Sequence, residues 1–379
     1  MKKKRIINGR GPFAPEGTLY LFAETIVSEE EYRSLPGEEE ILDAKNAYLA
    51  PGLLDIHFHG CVGSDCCDGS VEALHQMAAF ELREGVTSIT PATMTVSEED
   101  LLRICDAAKQ MKEDPRIEEA DFMGLDMEGP FISPAKKGAQ NEAHIRLPDF
   151  SLYEKLQERS NNLFLSVVVA PEQPGAMEFI EMCKDRVHVS LAHMTADYDT
   201  AAVAFEKGAR GLTHLYNAMP GLSHRAPGPI AAGADREDVY AELICDGVHV
   251  HPSMVRAAFK LFGKDRILFI SDSMRACGLQ DGTYDLGGQM VTVTGKEARL
   301  SDGTIAGSVT NLMNCVRTAV KEMGIPLEDA LRCASLNPAK ALGLEDKIGS
   351  LLPGRLANIL LLDEDLSLKG ILHRGEWVK

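Results

Sequence analysis

Gly52-Leu-Leu-Asp-Ile-His-Phe-His59 is a compact apolar run that ends in a pair of histidines. Seven further runs follow at roughly 20–40-residue intervals: Val86 to Thr93, Phe122 to Glu128, Leu163 to Ala170, Val187 to His193, Gly211 to His214, Val239 to Asp246 and Ile267 to Asp272. Between them lie longer amphipathic stretches, for example Val71 to Arg83, Glu98 to Met111 and Pro252 to Phe262. Short apolar runs alternating with helical stretches are the pattern of parallel strands joined by crossover helices. Eight such units close into a (β/α)8 TIM-like barrel, whose active site sits at the C-terminal ends of the strands. An open doubly wound sheet would place a glycine-rich dinucleotide turn after its first strand. Here that turn carries histidines.

The flanks have a different texture. Residues 1–50 hold short strand-like pieces (Arg5-Ile-Ile-Asn, Gly17-Thr-Leu-Tyr-Leu-Phe, Ala47-Tyr-Leu-Ala) separated by turn formers. Residues 346–379 match them, with Asn358-Ile-Leu-Leu-Leu-Asp and Gly370-Ile-Leu following the turn Pro353-Gly354. The expectation is a small β-sandwich domain built from 1–50 and 346–379, with the barrel spanning 51–345.

Composition narrows the function. Of 379 residues, 57 are acidic and 39 are Lys or Arg, a formal charge of −18; 45% are hydrophobic and 25% charged. This is globular composition, and its acidity argues against general nucleic-acid or anionic-membrane binding. A small phosphorylated ligand needs only a few local donors and is not excluded. No apolar run approaches the ~18 residues of a membrane span. The opening Met-Lys-Lys-Lys is followed by Arg5-Ile-Ile-Asn-Gly-Arg10 rather than an apolar signal core. Nine scattered cysteines suit reduced thiols better than a disulfide framework, so a cytoplasmic location is expected. Cys61-Val-Gly-Ser-Asp-Cys-Cys67 has no zinc-ribbon spacing and reads as small packed thiols.

The chemistry sits at the ends of the runs. The first ends in His57 and His59, the third in Glu128, the fifth in His193, the sixth in His214 and the eighth in Asp272. Strand alternation puts His57 and His59 on one face, about 7 Å apart. Imidazole and carboxylate together favour Zn or Fe over Mg or Ca, and a set that leaves positions open for water is catalytic rather than structural. A divalent ion lowers the pKa of bound water towards 7, and Asp272 is placed to move a proton, so the pattern reads as metal-assisted hydrolysis. Asp272 also reads as a helix N-cap before Ser273-Met-Arg, which is compatible with that role.

The segment Pro51-Gly-Leu-Leu-Asp-Ile-His-Phe-His-Gly60 resembles the first-strand motif of the amidohydrolase superfamily. Further stretches narrow the likeness: Met127-Glu-Gly-Pro-Phe-Ile-Ser-Pro-Ala-Lys-Lys-Gly-Ala139, Thr213-His-Leu-Tyr-Asn-Ala-Met219, His224-Arg-Ala-Pro-Gly228, Ile244-Cys-Asp-Gly-Val-His249 and Ser271-Asp-Ser-Met-Arg-Ala-Cys-Gly-Leu279, then Gly282-Thr-Tyr-Asp-Leu-Gly-Gly288. In this order, over essentially the whole chain, they resemble the N-acetylglucosamine-6-phosphate deacetylase family. The fourth run, Ser166-Val-Val-Val-Ala-Pro-Glu172, lacks the lysine that hydantoinase-like and dihydroorotase-like relatives carboxylate.

By that resemblance Glu128, His193 and His214 ligate a metal, and His57 and His59 add a second ion with Glu128 bridging, so one or two ions are expected. Asp272 is the general base and acid. Asn217, Ala218, Arg225 and His249 hold the sugar phosphate, and Ala139, Gln140, Asp246, Gly247, Val248, Ile305, Ala306 and Gly307 line the sugar. Gln140 departs from relatives that carry His there; it donates a hydrogen bond but carries no charge. The implied reaction is hydrolysis of N-acetyl-D-glucosamine 6-phosphate to glucosamine 6-phosphate and acetate by a homodimer. The galactosamine epimer and a non-catalytic sugar-phosphate sensor are the alternatives.

Overall fold

The computed structural model describes residues 3–379; Met1 and Lys2, the start of the basic opening and of the 1–50 segment, lie outside the described residues. Eight parallel strands build the centre. The first (Leu53–Asp55) pairs with the second (Val86–Ile89). The third is split into Asp121–Phe122, beside the second strand, and Leu125–Met127, which opens a six-stranded sheet. That sheet continues through Phe164–Val169, His188–Leu191, Gly211–Leu212, Tyr240–Ile244 and Ile267–Ile270. A bridge between Ala92 and Asp126 ties the second strand to the third, and the Asp272 N–H donates to the His57 carbonyl at 3.0 Å, tying the eighth to the first. The result is an α/β TIM-like barrel. Strands covered on both faces need apolar side chains throughout, and Ile267-Leu-Phe-Ile270 is wholly buried.

The helices follow from local chemistry. Ser70 caps Val71–Arg83 by accepting from the Ala73 N–H, and Ser97 caps Glu98–Glu113 through the Asp100 N–H. Leu101, Ile104, Cys105, Ala108 and Met111 form the buried stripe of the second of these, at three- and four-residue spacing. Pro252 opens Pro252–Phe262 and Gly263, at φ 72°, ends it.

The chain ends form two four-stranded sheets. One has the order Thr25–Val27, Leu19–Phe22, Lys3–Ile7, Glu39–Asp43, and the other Glu376–Trp377, Leu368–His373, Ile359–Leu362, Tyr48–Pro51. Ile359–Leu362 runs antiparallel to Tyr48–Pro51, joining tail to start. Ile6, Leu21, Ile26, Leu49, Ile359 and Leu372 share one buried apolar cluster across both sheets. A three-stranded meander, Gly282–Leu286, Gln289–Thr294 and Glu297–Arg299, was not anticipated as an element. Among the described residues no helix is long and apolar enough to cross a membrane. All nine cysteines are free, eight of them buried.

Candidate active site

The barrel strands stop earlier than the sequence runs do. Glu128 follows its strand directly, whereas His193, His214, Asp246 and Asp272 each lie two residues beyond theirs. The first strand likewise ends at Asp55, so His57 and His59 belong to an irregular segment rather than to an alternating strand face. The Asp55 carboxylate accepts from the His57 N–H at 3.3 Å, and the Ser273 carbonyl accepts from the His59 N–H at 2.8 Å. These bonds turn both rings to the same centre, with centroids 5.5 Å apart.

Glu128 lies at that centre. Its Oε1 is 3.0 Å from His193 Nε2, 3.1 Å from His214 Nε2 and 3.7 Å from His57 Nε2, and its Oε2 is 3.3 Å from His59 Nε2. Asp272 Oδ1 lies 3.3 Å from His59 Nε2 and 3.7 Å from His57 Nε2. Burial alone would raise the Glu128 pKa, but the surrounding imidazoles, His193 foremost, hold it well below the usual carboxylate range. Burial likewise opposes ionisation of Asp272, yet His59 and His57 bring its pKa below normal. For His57, burial is outweighed by Asp126 and Glu128 and the pKa is raised well above normal; for His214 burial wins and lowers it.

The donor chemistry fits a divalent cation. His57 Nδ1–H donates to Asp126 at 2.7 Å, and His193 Nδ1–H donates to the Lys136 carbonyl at 2.8 Å. Each partner takes the Nδ1 hydrogen bond and turns Nε2 to the centre, where the ring can serve as a ligand once Nε2 is unprotonated, the usual outer arrangement around a metal-binding histidine. His57 Nε2 is buried with no hydrogen-bond partner. His193 Nε2 and His214 Nε2 sit 3.1 Å apart against one carboxylate oxygen, three potential ligand atoms converging on one point. His57, Glu128 and His214 form one group able to hold an ion; His57, His59 and Asp272 form another.

The centre opens into a cavity of about 370 Å³ lined by His59, Glu128, His193, His214 and Asp272, a volume suited to a small ligand. Of the residues expected to touch a substrate, Ala139, Gln140, Asn217, Ala218, His249, Ile305 and Gly307 line it. Arg225, Asp246, Gly247, Val248 and Ala306 do not. Arg225 is exposed on the loop after Pro220 and forms no ion pair or side-chain hydrogen bond among the described residues. Asp246 organises its own loop: its carboxylate accepts from the Val248 and His249 N–H groups, both at 2.9 Å, and from His249 Nδ1 at 2.7 Å. Burial disfavours the charged His249 ring, but Asp246 prevails and raises its pKa. Gln140 spends its amide on Thr95 and Glu128.

Sequence reasoning missed other contributors. Met94, Lys136, Leu286 and Thr304 also line the cavity, and Asp126 fixes His57. Asp126 stands two residues before Glu128 in the same run, so strand alternation was a signal for it. Lys136 acts through its backbone carbonyl, which no side-chain pattern announces.

Residues 48–378 match the Amidohydrolase family. The chain is 36% identical to the N-acetylglucosamine-6-phosphate deacetylase of Bacillus subtilis (strain 168), over 90% of this chain and 87% of that one. It is also 36% identical to the N-acetylgalactosamine-6-phosphate deacetylase of Escherichia coli O157:H7, over 86% and 87%. A mutant Mycobacterium smegmatis N-acetyl-D-glucosamine-6-phosphate deacetylase, solved with N-acetyl-D-glucosamine-6-phosphate, superposes with a TM-score of 0.88 at 30% identity, over 100% of this chain and 98% of that one.

Proposed function

The chain belongs to the amidohydrolase family, and from that premise we propose that it hydrolyses N-acetyl-D-glucosamine 6-phosphate to D-glucosamine 6-phosphate and acetate. The observation that carries the reading is the convergence of Glu128, His193, His214, Asp272 and His249 on one cavity of about 370 Å³.

A bound zinc or iron, one or two per chain, supplies Lewis acidity and lowers the pKa of water towards 7. Glu128, His193 and His214 would hold the ion, and His57 and His59 would be available to a second. Asp272 takes the proton of the attacking water and later delivers it to the amine nitrogen. The C–O bond to acetate forms and the C–N bond breaks. His249 and the backbone at Asn217 and Ala218 anchor the phosphate, with Arg225 supplied from its exposed loop; an unpaired guanidinium is well suited to a phosphate dianion. Ala139, Gln140, Ile305 and Gly307 line the sugar side of the cavity, while Asp246 acts on it only through His249. Remote phosphate binding thereby positions the acetamide.

The two terminal sheets are assigned to a small β-sandwich domain of residues 1–50 and 346–379 around a barrel of 51–345. A cytoplasmic homodimer belongs to the same reading. Metal-replete protein is expected to release acetate from N-acetylglucosamine 6-phosphate, and chelation to abolish release until metal is returned. Full activity in rigorously metal-free protein would overturn the proposal.

A further inference from the structure

Gln140 is buried in the cavity wall, and its amide has two fixed partners. The Thr95 N–H donates to Gln140 Oε1 at 2.7 Å, and Gln140 Nε2 donates to Glu128 Oε2 at 2.6 Å. The first contact determines the second. A backbone N–H can only donate, so the amide oxygen must face Thr95 and the NH2 must face Glu128. The terminal torsion of a glutamate is soft and roughly two-fold, so a carboxylate without such a partner exchanges its oxygens readily. Here the two oxygens are distinguished. Oε2 is held by Gln140, with His59 Nε2 3.3 Å away, and Oε1 is left facing His193 Nε2 and His214 Nε2 at 3.0 and 3.1 Å.

We propose that Gln140 is a positioning residue for the metal site, clipping the Glu128 carboxylate to the Thr95 backbone so that Oε1 is presented to the ion held with His193 and His214. This rests on the metal-dependent reading above. A neutral amide suits this role because it donates to the carboxylate without a positive charge that would compete with the cation. The same short segment also orients a second ligand, since the Lys136 carbonyl accepts from His193 Nδ1. The segment is itself held by Gln289, whose side-chain amide donates to the Ala139 carbonyl.

The test is Gln140→Met, which keeps the volume and removes both hydrogen bonds. Metal-free wild type and variant are titrated with Co²⁺ against a competing chelator, with the visible absorption of the cobalt form recorded. The variant is expected to bind its first ion about 10–100-fold more weakly, with a changed absorption band. Binding within about twofold of wild type and an unchanged spectrum would overturn the clip. A wild type that binds no cobalt would instead overturn the metal reading beneath it. Thermal unfolding of the metal-free proteins controls for folding, and Gln140→Ala takes the place of Gln140→Met if the latter misfolds.

Discussion

His193, His214 and Asp272 hold φ values of 46°, 36° and 47°. Left-handed backbone at residues other than glycine costs about 1–3 kcal/mol each and persists only where the surroundings enforce it. All three lie two residues past a barrel strand, where the chain leaves the sheet and turns its side chain over the barrel mouth. Strain placed there fits a site whose geometry outweighs local preference. Asp272→Asn keeps this shape but removes the proton acceptor, so kcat should fall about 10²–10⁴-fold while the ion expected at Glu128, His193 and His214 is retained. Near-normal turnover would remove Asp272 from the mechanism. His249 gives a pH signature. Its folded pKa is raised by Asp246 against the opposing effect of burial, so its cationic form, and the stability that form contributes, is fully present below the ordinary histidine value. Both are lost as pH rises through the raised value. KM for the phosphorylated substrate should therefore climb on the alkaline side, and His249→Gln should flatten that dependence; an unchanged profile in the variant would exclude His249 as the titrating anchor.

At the scale of elements, the meander turn Leu286-Gly287-Gly288-Gln289 carries Leu286 to the cavity wall. Gly287 and Gly288 sit at φ 56° and 83°, the requirement of a tight two-residue hairpin. A side chain at Gly288 would meet open space, so Gly288→Val tests conformation alone, at a cost of about 1–2 kcal/mol. KM should rise several-fold with the main thermal transition little changed, as steady-state kinetics and a melting curve would report; an unaltered KM would detach the turn from substrate binding. The Gly-Gly pair between alternating residues is a readable hairpin signal, although in the sequence it stands out only as part of a longer motif. Other elements were plain. The stretch 71–83 starts where expected because Ser70 caps it, and Pro252 and Gly263 bound 252–262. The apolar runs overreach the strands because their last residues keep strand-like composition while bonding to loops, as Asp272 does with His57 and Ser308.

For the molecule as a whole, the alternation of runs and helices made the barrel class legible, because eight buried parallel strands need that composition. The ends of the runs made the candidate ligands legible by residue type. Their contacts were not legible. The 3.0 Å approach of His193 to Glu128 joins residues far apart in sequence, and no local rule sets it. Nor did the chain reveal that Gln140 would face Glu128, or that Arg225 would stand exposed outside the cavity wall. The formal charge of −18 makes local cations the natural place for a phosphate, and so the phosphate-anchor assignment and the chemistry can be tested together. The most direct measurement is acetate release by metal-replete protein from N-acetylglucosamine 6-phosphate, its galactosamine epimer and unphosphorylated N-acetylglucosamine. A strong preference for the phosphorylated gluco substrate is predicted. No acetate from any of the three, with metal demonstrably bound, would contradict the account.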